Sequence, residues 1–244
     1  MTALRIPRVY GHRGAAASAP ENTLAGVRRA AAVGAGAVEF DVKLTADGVP
    51  FCLHDDTLDR TTDGKGDAGR LTLAELERLD AGSWFGPAFA GERLPTLAAI
   101  LDLILELGLG ANVEIKPSRG REAETGAVVA DEVARRWPGD RPPPILSSFR
   151  AVSLEAARDR QPDLPRGYLI EVPPAGWQAE VDRLGCATLH VGHAKLDRAR
   201  MDELTAGGRP VLLWTVNDPA RARALMSWGA SAVITDAPEL MAGL

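Results

Sequence analysis

Short apolar runs alternate with segments of helical periodicity along the whole chain, and no other feature limits its fold so strongly. The runs are RVYG (8–11), AVEFDVKL (37–44), NVEIK (112–116), PILSSF (144–149), GYLI (167–170), TLHV (188–191), PVLLWTV (210–216) and AVIT (232–235). Between them lie segments such as NTLAGVRRAAAVG, TLAAILDLILELG and ETGAVVADEVARRW, with apolar residues at helical spacing and Gly near several ends. Eight strand–helix alternations predict an α/β fold, a (β/α)₈ barrel. The length of 244 residues suits one such domain spanning 1–244. The rival, an open doubly wound sheet, needs a short Gly-rich turn after the first strand. GHRGAAASAPENT is too long for that turn and contains Pro20.

Residues 56–95 break the rhythm. They hold one short helical pattern, LTLAELERL, amid Gly, Asp and Pro, and so read as an insertion after the second strand region. Just before it, VPFCLHD (49–55) reads as an extra strand folded back on the second through the ADG turn.

A net charge of -5 argues against a nucleic-acid partner, which calls for a basic patch or stripe. The N-terminal MTALRIPRVYG lacks the apolar core of a secretory signal, and no run of eighteen apolar residues exists to form a transmembrane helix. Cys52 and Cys186 are far apart in apolar settings and read as reduced core thiols, which points to the cytoplasm. The helix faces carry no readable signature of oligomeric state.

The chemistry collects at strand ends. In VEFDVKLT, Val38, Phe40 and Val42 form one face while Glu39 and Asp41 share the other, roughly 6.6 Å apart along the strand. At an effective dielectric near 20 that pair repels by about 2.5 kcal/mol. Neither face of a barrel strand is open water, so a carboxylate there needs a partner. Glu114 and Lys116 repeat the arrangement on the third strand, His12 and Arg13 follow the first, and Trp214 lies near the end of the seventh, placed to line a substrate pocket. Glu39, Asp41 and Glu114 make a hard-oxygen set that suits Mg²⁺ or Ca²⁺. The competing arrangement is an ion network in which Lys116 and Arg13 neutralise the acids without a metal.

His12 and His54 sit at the ends of the first and the extra strand. Taken singly, each fits a satisfied polar residue; paired beside a metal, they suit the division of general acid and general base work, with Asp55 or another acid orienting His54. Weaker readings attach elsewhere. His190 and His193 read as structural or rim residues, Asn22 or Thr23 as a helix cap with Asn22 also able to face the pocket, and WGASAVITDAP as tight packing or a phosphate site.

Together, GHRG…APENT, VEFDVKLTADGVPFCLHDDTLDRTTDGKG, VEIK, LLWTVND and VITDAP resemble the glycerophosphodiester phosphodiesterase family, closest to its compact cytoplasmic bacterial members, over roughly residues 8 to 240. The resemblance implies a TIM barrel that hydrolyses glycerophosphodiesters, such as glycerophosphocholine or glycerophosphoethanolamine, to glycerol 3-phosphate and an alcohol. It implies one divalent cation, Mg²⁺ with Ca²⁺ as the alternative, held by Glu39, Asp41 and Glu114. His12 and His54 match the acid/base pair, Arg13 and Lys116 the phosphate contacts, and 56–95 an insertion that helps form the glycerol-side pocket. Action on lysophospholipids is the second reading, requiring an apolar groove that Trp84, Phe85 and Phe89 would supply unless they close the insertion onto the barrel. A non-catalytic phosphate-ester binding barrel is the third, with no use for two histidines beside three acids.

Overall fold

The computed structural model describes residues 3–244; Met1 and Thr2, where the segment read as lacking a secretory signal begins, lie outside the described residues. The chain runs β1 (Val9–His12), α1 (Leu24–Ala32), β2 (Ala37–Leu44), β3 (Pro50–Cys52), α2 (Leu73–Leu76), α3 (Leu97–Leu107), β4 (Gly110–Ile115), α4 (Glu122–Arg136), β5 (Ile145–Ser148), α5 (Ala151–Arg160), β6 (Arg166–Ile170), α6 (Trp177–Arg183), β7 (Thr188–Gly192), α7 (Arg198–Thr205), β8 (Val211–Trp214), α8 (Pro219–Ser227) and β9 (Ala232–Thr235). Eight strands are parallel neighbours in the order β1-β9-β8-β7-β6-β5-β4-β2, and β1–β2 pairing closes the ring. The fold is therefore the (β/α)₈ barrel that the alternation predicts. β3 pairs antiparallel with β2, as the ADG turn requires.

Both faces of the strands are buried, and they carry different chemistry. On β2, Val38, Phe40 and Val42 pack outward in one cluster with Val27 of α1 and Leu97, Ile100, Leu101 and Ile104 of α3. The opposite residues, from Ala37 through Glu39 and Asp41 to Lys43, face inward. The lower barrel interior is apolar, with Tyr10, Ala37, Ile145, Leu212, Ala232 and Ile234 in contact. Helix starts are fixed by side-chain caps: Thr23, Thr96, Asp197 and Asp218 each accept a backbone N–H in the first turn.

The insertion builds a core of its own from Leu58, Ala68, Leu76, Ala81 and Leu94 against Phe51 and Leu53. Its helix α2 starts at a capping box between Thr72 and Glu75. Trp84, Phe85 and Phe89 stack edge to face on one another, and the Trp84 indole N–H donates to the Ala81 carbonyl. They pack on one another with Trp84 still 39% exposed, and they are not among the residues that line the two cavities at the barrel mouth.

Candidate active site

β1 ends in the GHRG turn, and the turn depends on left-handed backbone. Arg13 has φ 51° and Gly14 φ 94°, and a Cβ on Gly14 would lie 2.5 Å from the carbonyl carbon of Gly26. The turn brings the Arg13 backbone N–H to Glu39 Oε2 at 3.1 Å and its guanidinium to Glu21 at 2.7 Å. Arg13 Nε also lies 3.3 Å from Asp41 Oδ2. Asn22, itself at φ 56°, grips Asp41 twice: its amide donates to Oδ2 at 2.9 Å and accepts the Asp41 backbone N–H at 3.0 Å. The helix-cap role falls to Thr23.

Register aligns the acids. His12 of β1 stands beside Glu39, and Asp41 of β2 beside Glu114 of β4. Glu39, Asp41 and Glu114 are all buried, and each has an oxygen within 4.8 Å of the others'. Adjacent oxygen ligands about 2.0–2.6 Å from a common Mg²⁺ or Ca²⁺ are about 2.8–3.7 Å apart at right angles, within that limit. Lys116 reaches Glu114 at 2.9 Å and Asp41 at 3.3 Å.

Two cations do not satisfy three buried acids. Burial, then the charges of Asp41 and Glu114, push the Glu39 carboxyl well above its ordinary value. Burial, then Asp41, push Glu114 up to about 7. Burial acts the same way on Asp41, but Lys116, Arg13, His54 and the Asn22 amide overcome it and hold this carboxyl far below its usual range. The set is short of positive charge, and an all-oxygen site of this kind fits a hard divalent ion.

Both histidines face the same cavity, each with a carboxylate behind it. His12 Nδ1 lies 2.6 Å from Asp236 Oδ1, leaving Nε2 toward Glu39, 3.9 Å from its Oε2. Asp236 is held by Asn217, whose amide donates to Oδ2 at 2.6 Å and accepts the Asp236 backbone N–H at 2.9 Å. His54 Nδ1 lies 2.7 Å from Asp55 Oδ1, and Asp55 is tied to Arg60 of the insertion. Arg60 also clamps Glu21, the partner of Arg13. Burial lowers the His54 imidazole against the pull of Asp41. The insertion thus reaches the site through Arg60 and through Asp56, which accepts from Lys43 Nζ at 2.6 Å. Its Asp56 lines the groove beside the deep cavity, whose own wall is built from the barrel strands and their loops.

That cavity, of about 160 Å³, has a polar wall of His12, Arg13, Glu39, His54, Glu114 and Lys116. Phe149, Leu169, Trp214 and Ile234 form the apolar wall opposite, with Phe149 and Trp214 edge to face at 5.5 Å. All eight residues singled out in the sequence, Trp214 included, therefore meet in one place, at the C-terminal ends of the barrel strands. His190 is buried in the barrel and paired with Thr188, and His193 lies at the rim. Sequence reasoning assigned no role to Asp236, Asn217, Glu21 and Arg60, although the motifs VITDAP, LLWTVND, APENT and LDRTTDGKG contain them. A larger cavity, about 440 Å³, opens at the other end of the barrel beside Tyr10, Gly108 and Trp137, and no carboxylate or imidazole lines it.

The sequence pattern of the glycerophosphoryl diester phosphodiesterase family matches residues 12–240. A glycerophosphodiester phosphodiesterase of Caldanaerobacter subterraneus subsp. tengcongensis is 34% identical over 239 residues, covering 97% of this chain and 96% of that protein. A phosphodiesterase of Oleispira antarctica, solved in complex with its product sn-glycerol-3-phosphate, superposes with a TM-score of 0.93 at 40% identity, over 97% of this chain and 95% of that one. The glycerophosphodiester phosphodiesterase of Thermotoga maritima gives 0.77 at 27% identity, over 97% of each chain.

Proposed function

The chain belongs to the glycerophosphoryl diester phosphodiesterase family, and from that premise we propose that it hydrolyses glycerophosphodiesters to sn-glycerol 3-phosphate and an alcohol. Glycerophosphocholine and glycerophosphoethanolamine are the substrates we assign. The observation that carries this reading is the buried Glu39–Asp41–Glu114 cluster flanked by two histidines, each backed by its own carboxylate. Glu39, Asp41 and Glu114 would hold the divalent cation, Mg²⁺ or alternatively Ca²⁺, which would supply neutralising charge for the phosphoryl oxygens. Arg13 and Lys116 add fixed positive charge on the same side, and Trp214 with Leu169 packs the carbon side of the substrate.

Proton movement follows from the histidine contacts. With each Nδ1 engaged by a carboxylate, each Nε2 is left for the reacting groups. One imidazole takes the proton of the attacking oxygen as its bond to phosphorus forms; that oxygen comes from water, or from the substrate's own glycerol 2-hydroxyl, which gives a cyclic phosphate that water then opens to glycerol 3-phosphate. The other, protonated, gives its proton to the leaving alkoxide as the P–O bond breaks. The unpaired buried thiols of Cys52 and Cys186 fit a cytoplasmic setting for this reaction.

A coupled glycerol 3-phosphate assay on glycerophosphocholine tests the reading. The purified protein should release product only with a divalent ion present, and His12→Ala and His54→Ala should each abolish turnover. Undiminished release after EDTA treatment and dialysis would sink the metal assignment.

A further inference from the structure

The deep cavity contains a polar side chain that none of the steps above uses. Asn112 lies on β4 two residues before Glu114, hence on the same inward face, and stands in register with Glu39. It is 1% exposed and lines the cavity floor. Neither its amide oxygen nor its amide nitrogen has a hydrogen-bond partner among the described residues. A buried polar group left unpaired costs about 1–3 kcal/mol, so an amide kept there points to a ligand that pairs with it.

The chemistry of an amide narrows that ligand. Its oxygen only accepts and its nitrogen only donates, so a single ligand group that pairs with both ends must itself donate and accept. A phosphoryl oxygen accepts only and would leave the Asn112 oxygen orphaned. A trimethylammonium group offers neither function. A hydroxyl does both. The cavity around Asn112 holds about 160 Å³, roughly five waters at ~30 Å³ each, room for a three-carbon polyol against Leu169, Trp214 and Ile234. The larger groove beside it, about 540 Å³ and edged by Lys43, Asp56 and Arg150, leaves the variable alcohol of the diester outside.

We propose that Asn112 binds a free hydroxyl of the glycerol half of the substrate and so selects a hydroxylated three-carbon ester over its deoxy counterpart. This rests on the phosphodiesterase reading, since it takes the phosphate to sit at the acid cluster. Trp214 Nε1, also buried and unpartnered in the same wall, is a second donor beside the polyol.

Binding of glycerol 3-phosphate and of propyl phosphate, measured by calorimetry at saturating Mg²⁺, tests the proposal without depending on which oxygen attacks. The wild type should prefer glycerol 3-phosphate by about tenfold or more. Asn112→Ala and the nearly isosteric Asn112→Leu should lose that preference while binding propyl phosphate as the wild type does. Asn112→Leu should also keep or raise the melting temperature, because it removes an unpaired buried amide. Equal weakening of both ligands, an unchanged preference, or a marked fall in the melting temperature of Asn112→Leu would overturn the assignment. A wild type that binds both esters but releases no glycerol 3-phosphate from glycerophosphocholine would refute the function instead.

Discussion

Asp236→Asn isolates what the carboxylate behind His12 does. In the native site the Asp236 side chain is 28% exposed, receives His12 Nδ1 at 2.6 Å and is held on its other oxygen by Asn217. Burial works against its charge, but the His12 bond overcomes this and keeps the carboxyl ionised, below its ordinary value. A charge-assisted hydrogen bond of this kind contributes about 1.5–3 kcal/mol, equivalent to about 10–150-fold in rate when it is made to an imidazole that gains or loses a proton. An amide in place of the Asp236 carboxylate removes the charge and leaves no acceptor specific to the Nδ1 proton, so the imidazole loses its fixed tautomer and its charge-assisted hydrogen bond. Steady-state kinetics on glycerophosphocholine at saturating Mg²⁺ should show kcat down by about 10–100-fold with KM changed by less than about threefold. Asn217→Ala should cost less, because Asp236 stays charged. A variant with wild-type kcat, or one whose whole defect lies in KM, would refute this account of His12.

The remaining expectations concern the acid cluster. In the metal-free protein Glu114 titrates at about 7 against an ordinary 4.5, so between those values the folded chain holds a proton that the unfolded chain has lost. Stability from this group therefore falls as pH rises through that window, by about 3 kcal/mol, and Glu39 is shifted in the same direction. Urea midpoints in EDTA should decline from pH 5 to pH 7 and the decline should vanish at saturating Mg²⁺; a metal-free midpoint that climbs over this range contradicts the assignment. Asp56→Ala leaves the buried Lys43 ammonium without its 2.6 Å partner near the acids, so calorimetric Mg²⁺ affinity should drop about tenfold, and Lys43→Met in the same chain should restore it. Equal affinity in the wild type and Asp56→Ala would show that the pair has no influence on the cluster.

The barrel was legible because its signal is local. β2 spans 37–44 as the alternation of VEFDVKL dictates, and the acids it carries face inward because the valines and Phe40 are claimed by α1 and α3. Contacts between distant residues left no such trace. His12 and Asp236 are 224 positions apart, and no periodicity links them. The expected strand 210–216 stops at Trp214 because the following residues turn to place Asn217 against Asp236. Composition likewise does not reveal which surface an aromatic side chain faces; in the insertion Trp84, Phe85 and Phe89 meet edge to face.

The inward face of β2 reads Glu39, Asp41, Lys43, and the last of these bears on how the first two can be neutralised. A lysine two residues from Asp41 on the same face is the obvious counterion, yet its ammonium is taken by Asp56 of the insertion. Arg13 is shared between Asp41 and Glu21, and Glu21 draws in Arg60, which also serves Asp55. Among these ion pairs seven carboxylates, those of Glu21, Glu39, Asp41, Asp55, Asp56, Glu114 and Asp236, face four cationic side chains, Arg13, Lys43, Arg60 and Lys116. An anionic phosphodiester entering such a mouth meets net repulsion, and raising the protonation of Glu39 or Glu114 relieves it only partly. On the proposed function, a divalent ion among the three buried acids would turn that wall attractive at the place where both histidines point. On that same function, the insertion acts on the cluster without lining the deep cavity: Asp56 holds Lys43, and Arg60 is held by Glu21 and Asp55, so that among the described lysines and arginines only Arg13 and Lys116 pair with the three acids.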